Sequence, residues 1–151
     1  KIGIVETVKV VVQRSLHSSV SVNDEIISTI PSGMVLLVCM EKGDSKLSIE
    51  KAADKILNLR IFSDENGKMN NNISKAGGEI LAVSQFTRSW PGKKGNRPSF
   101  DNSMDPVLAN TFFEDFCTLL EKDQIVKKGV FGESMQVTIS NDGPVTFFLE
   151  F

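Results

Sequence analysis

Apolar residues recur along this chain with two periods, and each change of period marks an element. The β-branched run Val8 to Val12, broken by Lys9 and closed by Gln13-Arg14, reads as a strand. From Ser19, valines alternate with polar residues as in a half-buried strand; Asn23-Asp24 supplies a turn, and a return strand runs to Ser28. Pro31-Ser32-Gly33 is a second turn. Met34 to Met40 is apolar throughout, the pattern of a strand buried on both faces, and Gly43-Asp44-Ser45 ends it. The period then becomes helical. Ile49, Ala52, Ala53, Ile56 and Leu57 share one stripe, which predicts a helix over Ser48–Leu59 with Ser48 as its cap.

Arg60 to Ser63 reads as a short strand, and Asp64–Lys68 and Asn70–Asn72 as polar turns. Gly78 to Val83 is another core strand, which delivers Ser84-Gln85-Phe86-Thr87 at its C-terminal end. A loop rich in Gly, Pro and Lys follows from Arg88 to Met104. Pro106 to Leu120 is a second helix, capped by Asp105, with Leu108, Phe112, Phe113, Phe116, Leu119 and Leu120 on its apolar side. The tail predicts strands near Ile125–Phe131, Met135–Ser140 and Val145–Phe151, the last two joined by a turn at Asn141-Asp142-Gly143-Pro144. No repeat or linker interrupts the pattern. The expected fold is one α/β domain: a mostly antiparallel sheet, as two packed sheets or a partial barrel, with two main helices on one face.

Composition narrows the chemistry. With 40% hydrophobic and 24% charged residues, the 151-residue chain can bury a core. Its longest apolar run is far too short to span a bilayer, so no membrane partner is expected. Cys39 and Cys117 sit in apolar surroundings, and no secretion signal is visible, so both read as reduced thiols of a cytoplasmic protein. A single histidine, His17, in a strand-like stretch, reads as structural or surface. With two distant cysteines it does not supply the roughly four ligands of a zinc site. No metal or cofactor is expected, and Ser–His–Asp or Cys–His catalysis is poorly supported. The net charge of −2 argues against a protein that coats nucleic acid by bulk electrostatics. An RNA partner needs a local basic patch, and Arg88, Lys93, Lys94 and Arg97 fall in ten residues without an acid. The same residues also fit a solvated loop.

Two segments stand out. Ser84-Gln85-Phe86-Thr87 places hydroxyl and amide groups where a buried strand emerges, either to line a pocket with oxyanion-binding N–H groups or merely to satisfy a strand end. Asn141-Asp142-Gly143-Pro144-Val145-Thr146 reads on its own as a hairpin turn. Other near-motifs fail: Gly92-Lys93-Lys94-Gly95 lacks the spacing of a phosphate loop, and neither Asp64/Glu65 nor Glu114/Asp115 has an apolar setting.

Taken in order, these segments resemble the D-aminoacyl-tRNA deacylase family. The resemblance rests on Val8 to Arg14, Leu59-Arg60-Ile61-Phe62 with Asp64, Gly67-Lys68-Met69-Asn70, Ser84 to Thr87, Lys94-Gly95, Arg97-Pro98-Ser99-Phe100, Gly129-Val130-Phe131-Gly132, Met135 and Asn141 to Thr146. It covers residues 8–151 as one domain. Residues 1–7 fall outside it, as an N-terminal extension or residues left from expression. The family usually continues after the threonine with Leu-Tyr-Gly, where this chain has Arg88-Ser89-Trp90-Pro91.

The resemblance implies a homodimeric hydrolase of D-aminoacyl-tRNA that needs no cofactor. Ser84, Gln85, Phe86 and Thr87 would line the catalytic pocket. Gly143-Pro144, with a cis bond, would reach in from the partner subunit as a chirality filter braced by Arg14, and Met135, Val145 and Thr146 would line the pocket. Arg88, Lys93, Lys94 and Arg97 would meet the tRNA. The ester is already activated, so the protein need only orient water and stabilise the oxyanion, with Phe86 and Thr87 N–H groups as the best donors. Help from the RNA's 2′-hydroxyl is expected ahead of Thr87 as nucleophile. A filter that excludes L side chains has nothing to exclude in glycine, so glycyl-tRNA is expected to be cleaved as well. The alternatives are a tRNA-binding module without catalysis, an interaction dimer in which the turn is only a turn, and a related deacylase with a trans Gly-Pro and altered chirality.

Overall fold

The computed structural model describes residues 8–151, so the expected extension at 1–7 lies outside the described residues. Strand β1 (Lys9–Val22) runs unbroken through His17 and turns at Asn23-Asp24 into β2 (Glu25–Ile30). Both turn residues have positive φ, 50° and 65°, the geometry that lets a two-residue hairpin follow the natural strand twist. β3 (Gly33–Cys39) pairs antiparallel with the first half of β1, and β2 pairs with its second half. Two further strands, β6 (Glu79–Ser84) and β7 (Val126–Lys128), extend the sheet from β3 in parallel register. The expected mostly antiparallel sheet is therefore mixed: antiparallel around β1, parallel across β3, β6 and β7.

Alternation within β3 and β6 explains how strands apolar throughout are used. Met34, Leu36, Val38, Ile80 and Ala82 face one core, while Val35, Leu37, Leu81 and Val83 face a second. Helices α1 (Lys46–Asn58) and α3 (Pro106–Glu121) cover the first core through Ile49, Ala52, Ile56, Phe113, Phe116 and Leu120. The second is enclosed by the sheet itself. Ser28 Oγ donates to the Lys128 carbonyl at 2.5 Å, drawing β2 toward β7 so that the sheet nearly closes into a barrel. Gly33 permits the tight entry of β3: a Cβ there would lie 1.8 Å from the Glu79 carbonyl oxygen.

Local predictions shift in instructive ways. The cap of α1 is Ser45, not Ser48; Ser45 Oγ accepts from the Ser48 N–H at 3.3 Å, and the helix starts at Lys46. Asp105 caps α3 as expected, accepting from the Leu108 N–H at 3.2 Å. Leu108 itself is 46% exposed, because the buried stripe runs through Ala109, Phe113, Phe116, Cys117 and Leu120. Between α1 and β6, β4 (Phe62–Ser63) pairs with β5 (Met69–Asn71), and Asn72 caps a single helical turn, α2 (Ile73–Ala76). The polar turn expected at Asn70–Asn72 is thus a strand end and a helix cap.

The largest departure lies in the tail. The predicted strand at Ile125–Phe131 shortens to β7, and Met135–Ser140 and Val145–Phe151 are not joined by a turn. They form one strand, β8 (Gln136–Glu150), antiparallel to β1 on both sides of the Gly-Pro segment. A hairpin would pair the two arms with each other; here β1 is the partner of both. The register jumps from Ser15↔Asn141 to Gln13↔Thr146, so the Gly-Pro segment is a bulge of four residues opposite Arg14, not a reversal. Asn141 ties its base: Oδ1 accepts from the Val145 N–H at 2.9 Å, and Nδ2 donates to Thr146 Oγ1 at 2.8 Å.

Candidate active site

A cavity of about 890 Å³ opens where β3 and β6 end and the chain leaves β7, within the roughly 300–1,000 Å³ typical of small-molecule sites. Ends of parallel strands are where such sites form, because the connections diverge there and leave a crevice. Ser84, Gln85, Phe86 and Thr87 line it, together with Met135. Its deep wall is apolar: Val38, Met40, Val83, Met104, Phe113 and Phe131. Lys42, Asp105 and Glu133 also line it and supply the charge.

The Ser84–Thr87 segment is held from behind. The Gln85 N–H donates to the Val38 carbonyl at 2.9 Å, continuing the β3 pairing by one residue. The Phe86 carbonyl accepts from the Ser89 N–H at 3.0 Å and the Ser89 hydroxyl at 2.8 Å, with Cys39 Sγ 3.8 Å away. These bonds turn the chain into one 3-10 turn over Thr87–Ser89. Phe86 packs edge-on against Phe100 at 4.7 Å. Among the described residues, the Phe86 and Thr87 N–H groups meet no acceptor, so both are free to donate to a bound oxyanion. The Thr87 hydroxyl donates to Gln85 Oε1, an amide oxygen that is no base. Burial pushes the Cys39 thiol up to about 12, helped by the charge of Glu41, which makes it inert as a nucleophile. Among the described residues no three His, Cys, Asp or Glu side chains converge as metal ligands would.

The Gly-Pro bulge lies apart from this cavity: Gly143, Pro144, Val145 and Thr146 do not line it. The Gly143–Pro144 peptide is cis. Arg14, 12% exposed at its side chain, donates through Nε to the Asp142 carbonyl at 3.2 Å and pairs with the Asp142 carboxylate at 3.1 Å. Its Nη1 donates to the Ile61 carbonyl at 2.8 Å, tying the bulge to the segment before β4. Val145 is buried beneath the bulge, and Thr146 Oγ1 also accepts from Gln13 Nε2 at 3.4 Å.

Lys93, Lys94 and Arg97 stand exposed on the loop before α3, and among the described residues none has an ionic partner. Arg88 is different. Its guanidinium carbon sits 3.9 Å from the centre of the Phe148 ring on β8. Lys42, Ser103, Met104 and Phe131, none of them expected as a site residue from the sequence, line the cavity from three separate connections. A parallel reading of β3 and β6 would have pointed to the residues just after each strand.

Residues 11–150 match the sequence model of a family described as D-Tyr-tRNA(Tyr) deacylase. The chain is 46% identical over 138 residues to a D-aminoacyl-tRNA deacylase of Histophilus somni, covering 91% of this chain and 96% of that one. It is 49% identical over 138 residues to a D-aminoacyl-tRNA deacylase of Thermodesulfovibrio yellowstonii, covering 91% and 94%. Among solved structures, one described as the c-Myc DNA unwinding element binding protein superposes with a TM-score of 0.91 at 42% identity, covering 95% of this chain and 98% of that one.

Proposed function

Because this chain belongs to the D-aminoacyl-tRNA deacylase family, we propose a division of its work between the cavity at the ends of β3 and β6 and the Gly-Pro bulge of a second copy. The chain is a hydrolase that deacylates D-aminoacyl-tRNA, in keeping with proofreading in translation, and the alternative of a tRNA-binding module without catalysis falls away. The observation that carries the assignment of the site is the pair of unpartnered N–H groups at Phe86 and Thr87 beside a cavity of suitable size.

The ester carbonyl oxygen would lie against those two N–H groups, which stabilise the negative charge that develops as water attacks. With its proton committed to Gln85, the Thr87 hydroxyl has no base to activate it, so the 2′-hydroxyl of the terminal ribose is the better assistant. The apolar wall accepts the flat terminal base, with Met135 at its edge. Gly143 and Pro144 do not line the cavity of their own chain, which supports a filter that acts on a partner subunit, with a homodimer as the working form. Rigid carbonyls on the bulge would grip the substrate amine and leave an L side chain no room, while glycine passes. Arg14 holds the bulge through Asp142, Val145 and Thr146 shape its base, and Lys93, Lys94 and Arg97 meet tRNA phosphates. The cytoplasm, where tRNA is charged, is the place of action.

The test is a time course of hydrolysis of D-tyrosyl-, L-tyrosyl- and glycyl-tRNA by the purified protein, with sedimentation at the same concentration. D-selective turnover with cleavage of glycyl-tRNA by a dimer is expected. Equal rates on the D and L substrates would refute the filter, and full activity of a monomer would refute its delivery by a partner.

A further inference from the structure

We propose that Arg88 is a positioning residue for deacylation: seated on Phe148, it holds the Thr87–Ser89 turn against β8 and keeps the Phe86 and Thr87 N–H groups aimed at the cavity. The proposal rests on the reading of those N–H groups as oxyanion donors.

A three-residue turn does not hold itself. Its own bonds are the Ser89 N–H to the Phe86 carbonyl at 3.0 Å and the Trp90 N–H to the Thr87 carbonyl at 3.3 Å. The hydrogen-bond geometry of a 3-10 turn is poorer than that of an α-helix, so these two bonds hold the turn weakly. The inner anchor is Ser89, 1% exposed, whose hydroxyl reaches the Phe86 carbonyl at 2.8 Å and Ser103 Oγ at 3.2 Å. That bond fixes the turn to the segment before α3 and leaves its other flank free. Arg88 supplies the second anchor, with its guanidinium 3.9 Å from the Phe148 ring centre. The Phe148 backbone is held by pairing with Val11 in the β1–β8 ladder. Residues 91–99 beyond the turn are all exposed, so Arg88 and Ser89 precede a stretch that lies open to solvent. Among the described residues Arg88 has no carboxylate partner, so the negative face of the ring is the partner its charge has found. One flank tied to the α3 side and the other to β8 leave the two N–H groups little freedom to swing, and preorganised donors need that constraint.

The experiment compares Arg88→Met, Arg88→Lys, Phe148→Leu and the Arg88→Met/Phe148→Leu double variant with the parent protein. Steady-state deacylation of a D-aminoacyl-tRNA is measured over a range of salt. Acrylamide quenching of Trp90, the one tryptophan of the chain and the residue that closes the turn, is measured without tRNA. Arg88→Met and Phe148→Leu should each lower kcat by roughly two- to tenfold, the size of one cation–π contact, with KM and salt slope unchanged. The double variant should be no worse than either single one, because both remove the same contact. Arg88→Lys should keep most of the activity, and Trp90 should become more open to quencher in Arg88→Met and Phe148→Leu alike. If Arg88→Met raises KM and flattens the salt dependence while Phe148→Leu matches the parent, Arg88 is a phosphate contact and the proposal fails. It fails equally if Trp90 quenching is the same in all variants. A parent protein that does not hydrolyse the ester would overturn the oxyanion reading instead, and the quenching comparison would still decide whether Arg88 holds the turn.

Discussion

Replacing Asp44 by asparagine should make the protein more stable at alkaline pH and leave it nearly unchanged in acid. Burial pushes the Asp44 carboxyl up from the ordinary 3.8 to about 7, and the negative charge of Glu41 adds to the shift. Against these act the Glu41 N–H, which donates to Asp44 Oδ2 at 2.6 Å, and Lys9, which is paired with Glu41 at 3.0 Å. Asp44 Oδ1 is buried and, among the described residues, has no hydrogen-bond partner. The folded protein therefore holds a proton that the unfolded chain releases. From about pH 4 to pH 7 the folded state binds more protons than the unfolded state, so this group's contribution to stability falls as pH rises. A shift from 3.8 to about 7, at 1.36 kcal/mol per unit, sets a ceiling of about 4 kcal/mol. The exposed neighbours Lys42 and Gly43 admit water to the turn, and solvent screening brings the expected effect to about 1–2 kcal/mol. Asparagine keeps the acceptor for the Glu41 N–H and carries no charge at any pH. Urea denaturation of both proteins at pH 4.5, 6 and 8 isolates the effect as a difference, since every other carboxylate titrates in both. Asp44→Asn should gain on the parent steadily from pH 4.5 to pH 8. A difference that does not change with pH, or a variant that loses ground as pH rises, would refute the reasoning. The result bears on the site because this turn holds the cavity's rim: the Lys42 N–H donates to the Asn102 carbonyl at 2.9 Å, and Glu41 bridges to Ser103.

Gly143→Ala should destabilise the fold by about 1–3 kcal/mol, since it strains a left-handed residue. Gly143 has φ +128°, and a Cβ there would lie 2.7 Å from Val145 Cγ2 and 3.2 Å from an Arg14 guanidinium nitrogen. A melting temperature equal to that of the parent would show that the bulge yields more easily than its contacts imply. Replacing Lys93, Lys94 and Arg97 together by alanine should weaken tRNA binding and lower the slope of log K against log salt by up to about 3, as phosphate contacts are lost. An unchanged slope, measured by filter binding from 50 to 200 mM salt, would place the tRNA elsewhere.

Most of the local structure was legible along the chain because it rests on nearest neighbours. The Asn23-Asp24 hairpin, the Asp105 cap with Pro106 behind it and the doubly buried Met34–Met40 strand each follow from side chains a few residues apart. The resemblance of Ser84–Thr87 and Asn141–Thr146 to a known family came from the order of short segments and needed no coordinates. Errors arose where two partners competed for one stretch. Ser45, not Ser48, caps α1 because the helix begins earlier, and Leu108 falls outside the buried stripe through Ala109 because packing against α1 and β7 fixes the rotation of α3.

Only the tertiary structure could decide the rest. Asp-Gly-Pro reads as a reversal wherever the flanking strands are free to pair with each other. Here β1 is long enough to take both arms, so the same residues become a bulge that projects from one continuous strand. Parallel pairing of β3, β6 and β7 brings Lys42, Thr87 and Phe131 to the lining of one cavity. No local pattern encodes that convergence, because it depends on which strand ends lie side by side. The raised affinity of Asp44 for its proton and the seat of Arg88 on Phe148 have the same origin. Residue identity determines which groups can be charged, donate or stack, but the free energy of each depends on the water removed and the neighbours supplied by distant segments, and those are set only when the chain has folded.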